Sequence, residues 1–237
     1  MSSPVDHPDN VTASAVVVRC SRVDARYPWP HYIGDLASEE DRKRPEETAD
    51  HPFRAGEYLR RISLKADMSF LEIGTVVATL CDYNNVAPAR CALWPIARML
   101  KLIARYADEP KVWIVSGGIE VCVGGEHVVG PQCCCGLETW REWQIFTQGG
   151  AAPWSGHSPD PLLLRLESGE LQLGYEGSPA PMKIAPEALR SALELVEHDL
   201  QGFVEALSNW GGRVVPRLSR AFASAFAETM DLRCTVR

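Results

Sequence analysis

The chain has 237 residues, 46% of them hydrophobic and 23% charged, with a formal net charge of -7. That composition is ordinary for a globular fold and leaves enough chain to bury a sizeable core. The acidic balance opposes general phosphate-backbone binding, so nucleic acid is not an expected partner, whereas a basic protein is compatible with it.

Residues 1–12 are polar and are expected to be disordered, as termini often are. Residues 13–23, with Val16-Val17-Val18 followed by alternating Arg19 and Ser21, read as a strand. Residues 25–53 are dense in proline and charge and read as a long surface loop. The alternation over 58–80 predicts two strands, 59–66 and 73–80, turning at Asp67-Met68-Ser69. Leu93, Ile96, Leu100, Ile103 and Ala107 follow the three-four spacing of a helix over 87–107.

A hairpin is expected next, with 111–116 and 119–123 flanking Gly117-Gly118. Gly124-Gly125 suggests a second turn before 126–129. Residues 137–146 read as a short helix ended by Gly149-Gly150, and 162–166 with 170–175 as a hairpin around Ser168-Gly169. The clearest helix runs over 186–209, with Pro186 in its first turn and Gly211 placed as the residue beyond its end. Leu189, Leu193, Val196, Leu200, Phe203 and Leu207 step by four and three, which serves a helix packed on its own sheet or the seam of a homodimer. A last helix is expected over 218–229.

Few parallel crossover units are visible in this order. The expected fold class is α+β, a mostly antiparallel sheet with the long C-terminal amphipathic helix packed on it. A single domain over 13–237 is expected, with 108–110 as the weakest point for a boundary.

No run reaches the roughly 18 to 20 apolar residues of a membrane span, so no membrane partner is expected. The first ten residues lack the basic-then-apolar order of a secretory signal. Eight cysteines without such a signal read as free thiols of a reducing compartment, which points to the cytoplasm.

The densest chemistry lies in Cys133-Cys134-Cys135, just before a helix that starts near Gly136. Helix N-termini favour thiolate, so these residues suit a nucleophile, with His157 and Asp160 as base and orienting acid. They also suit a zinc site in which Cys133 and Cys135 are joined by His127, His157 or Cys122. The plainer alternative is small apolar side chains packing a crowded turn, with no catalytic residue, metal or cofactor. Phosphate loops, dinucleotide fingerprints, zinc-protease helices and hydrolase elbows are missing from the sequence. Aromatics in or beside loops, namely Tyr27, Trp29, Tyr32, Trp140, Trp143 and Trp154, are the candidate anchors for a partner, against the alternative that they plug the ends of the core.

Two blocks, Pro131-Gln132-Cys133-Cys134-Cys135-Gly136-Leu137-Glu138-Thr139-Trp140-Arg141-Glu142-Trp143 and Pro153-Trp154-Ser155-Gly156-His157-Ser158-Pro159, resemble those of small uncharacterised bacterial proteins. The acidic α+β character is similar to that of immunity proteins, which neutralise toxins of neighbouring bacteria. The first likeness covers about thirty residues and the second is one of type. Together they imply a non-enzymatic protein-binding role with a basic toxin as partner, and they bring no active site.

Overall fold

The computed structural model describes residues 10–19, 60–84, 114–131, 136–154, 161–176, 181–214, 216–217 and 219–232. Strand β1, Val11–Arg19, is the centre of a four-stranded antiparallel sheet. It pairs on one side with β2, Arg60–Ser63, and on the other with β3, Gly117–Val123, which carries β4, Glu126–Val129, at its far edge. Val11 and Thr12, expected to be disordered, are paired residues of β1, and Asn10 accepts the Gly124 N–H at 3.0 Å. The valines that suggested a strand therefore reach two residues further back than alternation alone implied.

The region expected to hold a strand at 73–80 is instead α1, Phe70–Tyr83. Ser69 and Glu72 form a reciprocal capping box: the Glu72 N–H donates to Ser69 Oγ at 3.3 Å, and the Ser69 N–H donates to Glu72 Oε2 at 2.7 Å. Hydrogen bonding to the carboxylate from the Ser69 hydroxyl, first, and from the Ser69 N–H holds the Glu72 carboxyl below its ordinary range. Ile73, Val76, Val77 and Leu80 are buried at three-four spacing, so one helical stripe collects every large apolar side chain of the run.

The hairpin expected at Gly117-Gly118 is also corrected. Both glycines lie inside β3, and the turn falls at Gly124-Gly125, whose φ values of 61° and 87° suit a two-residue hairpin loop. Gly117 serves a different purpose, because an added Cβ would stand 2.0 Å from the Val16 carbonyl oxygen of β1. Residues 111–113 and the helix expected over 87–107 lie outside the described residues, as does the boundary expected near 108–110.

Beyond β4, a 3-10 turn at Leu137–Thr139 leads into α2, Arg141–Thr147. That helix ends as predicted at Gly149-Gly150. The Gly150 N–H bonds Ile145 O at 2.9 Å, the Gly149 N–H bonds Phe146 O at 3.1 Å, and Gly149 has φ 98°. Arg165 covers the neighbouring carbonyls, donating to Phe146 O at 2.9 Å and Thr147 O at 2.8 Å. Arg165 belongs to β5, Pro161–Arg165, which pairs with β6, Leu171–Tyr175, in the expected hairpin. A third strand, β7, Met182–Ile184, completes this second sheet; three residues are too few to show alternation.

The long helix α3 runs over Pro186–Val214, five residues past its expected end. Gly211 is inside it, and its missing side chain lets Ser219 approach, since a Cβ there would lie 2.9 Å from that of Ser219. The four-three stripe from Leu189 to Leu207 is fully buried within the chain and packs against β1, so it is not free as a dimer seam. Helix α4, Ser219–Thr229, crosses it with Phe226 edge-on to Phe203, centroids 5.2 Å apart. Both described sheets and all four described helices contribute to one apolar cluster, an α+β core with only antiparallel pairing among the described strands. No described helix is long and apolar enough to cross a membrane.

Candidate functional site

Of the six aromatic anchors expected from the sequence, the structure gathers three. Trp140, Trp143 and Trp154 line one cleft with Gly118, Ile119, Pro131, Gly136 and Thr139. Their roles differ sharply. Trp140 and Trp143 are 1% and 3% exposed, so neither presents a surface to a partner, and their reading as anchors is corrected to one as core. The Trp140 indole N–H donates to Met230 O at 2.9 Å, and the Arg141 guanidinium lies 4.4 Å above its ring. Arg141 reaches Glu197 at 3.0 Å and the Asp231 carboxylate at 2.8 Å, tying α2 to α3 and to the segment after α4.

Trp154 is 55% exposed. Its backbone N–H donates to Glu142 Oε2 at 3.3 Å, which brings it to the outward face of α2. One turn along that face stands Ile145, 53% exposed, as residues three apart share a helix side. Glu142 and Ile145 thus stand on a helix tied to the core by Trp143 and Arg141, and Trp154, beyond the end of that helix, is bonded to Glu142 through its backbone. The cleft beneath has room for only about 10 Å³, roughly one water. A volume of that size is far below the range of small-molecule sites.

A second polar cluster lies on the face of the first sheet opposite the core. Arg61 Nη1 donates to Glu120 Oε1 at 2.7 Å and to His127 Nε2 at 2.8 Å, and that histidine nitrogen is 3.3 Å from the same carboxylate oxygen. A guanidinium can only donate, so Nε2 carries its lone pair toward Arg61 and the ring proton sits on Nδ1. Tyr175 of β6 stacks on the imidazole, centroids 6.3 Å apart, and its hydroxyl accepts the Gly130 N–H at 3.0 Å. A Cβ at Gly130 would come within 2.8 Å of His127 Nε2, so the glycine makes room for the ring.

This arrangement bears on the zinc alternative. The lone pair that His127 would offer a metal already faces a fixed cation. Cys122, its cross-strand neighbour, has its thiol pushed up by burial, first, and by Glu120. Among the described residues no group of three or more histidine, cysteine and acidic side chains converges. Cys133, Cys134, Cys135, His157 and Asp160 lie outside the described residues, as do Tyr27, Trp29 and Tyr32.

The chain matches no known family model, no curated protein and no solved structure.

Sequence reasoning missed the Arg61–Glu120–His127 cluster, whose members are 59 or more residues from Arg61 and carry no local motif. Burial, first, and then Arg61 lower the His127 pKa, while Glu120 acts weakly the other way. The unfolded chain therefore binds this proton more readily than the folded one, and stability rises with pH across the interval from the lowered value to about 6.5. Acidification through that interval is expected to lower the denaturation midpoint of the parent and to do so less in His127→Gln. Equal acid sensitivity of the two proteins would count against a lowered His127 pKa.

Proposed function

We propose that the chain is a non-enzymatic protein-binding protein of the immunity type, docking a basic partner on the face formed by Trp154, Ile145 and Glu142. The observation that carries this reading is Trp154, an indole 55% exposed whose backbone N–H is bonded by the Glu142 carboxylate of α2. Tryptophan is enriched at the energetic centres of protein interfaces because it buries much area with little loss of side-chain freedom. Glu142 and the net charge of -7 favour a lysine- or arginine-bearing surface, whose cations stack on indole rings.

The test begins with affinity capture from the native host, followed by calorimetric titration of the captured protein after purification. A basic protein bound at sub-micromolar concentration is expected, with Trp154→Ala weakening it about thirtyfold, roughly 2 kcal/mol. The variant's own stability should stay within about 0.5 kcal/mol of the parent, since exposed side chains contribute little to folding. Co-expression extends the test: the parent chain should suppress the partner's toxicity and Trp154→Ala should not. A partner whose affinity ignores Trp154, Ile145 and Glu142 alike sinks the proposal.

A further inference from the structure

Strand β5 is the outer strand of the second sheet, whose order is β5-β6-β7. Its turn into β6 fixes which of its backbone groups face that neighbour. The Leu166 N–H donates to Glu170 O at 2.9 Å, and antiparallel bonding alternates from there, so Leu164 and Leu162 exchange bonds with Gln172 and Gly174. The N–H groups of Leu163 and Arg165, and the carbonyls of Pro161, Leu163 and Arg165, therefore point away from the sheet. Among the described residues none of these five groups is bonded.

An open edge is a template for another strand, and folded proteins guard it with short length, a lysine or an inward-turned charge. The opposite edge of this sheet is guarded in that way, since β7 has three residues and its middle one, Lys183, is exposed. β5 has no such guard. It reads Pro-Leu-Leu-Leu-Arg, and its one charge is occupied, with Arg165 donating to Phe146 O and Thr147 O at the end of α2. Leu163 faces the core, so Leu162 and Leu164 share the other face, where Leu162 is half-buried and Leu164 is 46% exposed.

We propose that two copies of this chain dimerise by antiparallel pairing of their β5 edges about a two-fold axis at Leu163. The outward groups belong to odd-numbered residues, and this register sets odd opposite odd along the whole strand. The Leu163 N–H and carbonyl bond those of Leu163 in the second copy, and each Arg165 N–H donates to the Pro161 carbonyl across the axis. Each exposed Leu164 then lies opposite a Leu162, in the closer, non-bonded type of pair. The two arginines stand at opposite ends, roughly 13 Å apart along the strands. Charge selects this strip as the meeting place: a chain of net charge -7 repels its copy, and β5 has no acidic residue. A two-fold also closes on itself, so both open edges are used up together and no chain of sheets grows.

Sedimentation equilibrium of the full chain is the test, and a dimer with a dissociation constant below about 10 µM is expected. Leu164→Lys, which changes an exposed side chain and appears twice in the dimer, should raise that constant at least about thirtyfold, with circular dichroism confirming the fold. Amide exchange in the parent reads the edge without any substitution. The Leu163 and Arg165 N–H groups should be protected at dimer concentrations and exchange fast on dilution, whereas the Leu162 and Leu164 N–H groups stay protected by β6 throughout. A chain still monomeric at about 100 µM overturns the proposal, as do species larger than a dimer. So does a dimer that Leu164→Lys leaves intact, or one in which the Leu163 and Arg165 N–H groups exchange freely.

Discussion

Gly117→Ala is expected to lose on the order of 3–5 kcal/mol, most of the 5–15 kcal/mol that typically separates a folded domain from its unfolded chain. The added methyl would sit 2.0 Å from the Val16 carbonyl oxygen and 3.0 Å from the carbonyl carbon of Val16 and Cα of Val17. All three atoms are backbone of the central strand, so no side chain can swing aside. Gly117 also has φ 149°, a region that L side chains rarely adopt. Gly124→Ala isolates the second effect, because Gly124 has φ 61° with open space around it. About 1–2 kcal/mol is expected there. Equilibrium denaturation of both variants separates collision from conformation. Similar losses for the two would mean that β1 and β3 can part slightly without penalty.

The second large effect is expected at Trp140. Truncation to alanine should cost about 3–5 kcal/mol, the range for a buried aromatic whose cavity collapses only in part. Trp140→Phe keeps most of the volume but leaves Met230 O without its donor, and about 1–2 kcal/mol is expected. Removing the indole also takes away the ring beneath Arg141, which links α2 to Glu197 and Asp231. Hydrogen exchange should therefore quicken at Met230 N–H and Leu232 N–H, whose acceptors are Phe226 and Ala227, before it quickens in the first sheet. A loss below about 1 kcal/mol in Trp140→Ala would return this tryptophan to the surface.

How much of this was legible in the sequence depends on the distance over which each signal acts. Helix α3 announces itself, because six apolar residues at four-three spacing and an N-terminal proline are local facts. The β5–β6 hairpin is equally local. Helix α1 was misread because Ile73, Thr75, Val76, Val77 and Thr79 are β-branched and suit strands. The Ser69–Glu72 capping signal was present in the same stretch and carried the opposite, correct message. Gly117-Gly118 and Gly211 show a different limit. Glycine marks both turns and close approaches, and only the partner tells which; here the partners are Val16, a hundred residues away, and Ser219.

The site was legible in part for the same reason. The sequence supplied the tryptophans and placed them beside Pro/Gly-rich loops, but a lone indole carries no record of whether its loop folds over it. Trp143 and Trp154, eleven residues apart, end on opposite sides of that divide. His127 was named from the sequence as an alternative metal ligand, whereas the Arg61 that its ring faces arrives from another strand and leaves no local signal.

The position of β1 has a consequence for biosynthesis. Its residues pair with β3 as Val11 with Val123 and Val17 with Gly117, and the helix that shields them ends at Val214. Closing so long an intervening chain is entropically slow, and such non-local pairing is what delays folding. Until the ribosome has made α3, strand β1 has emerged but lacks its β3 neighbour or the helix that covers it. Pairing of β1 is thus expected to wait for α3, leaving a valine-rich strand open to chaperones over that interval.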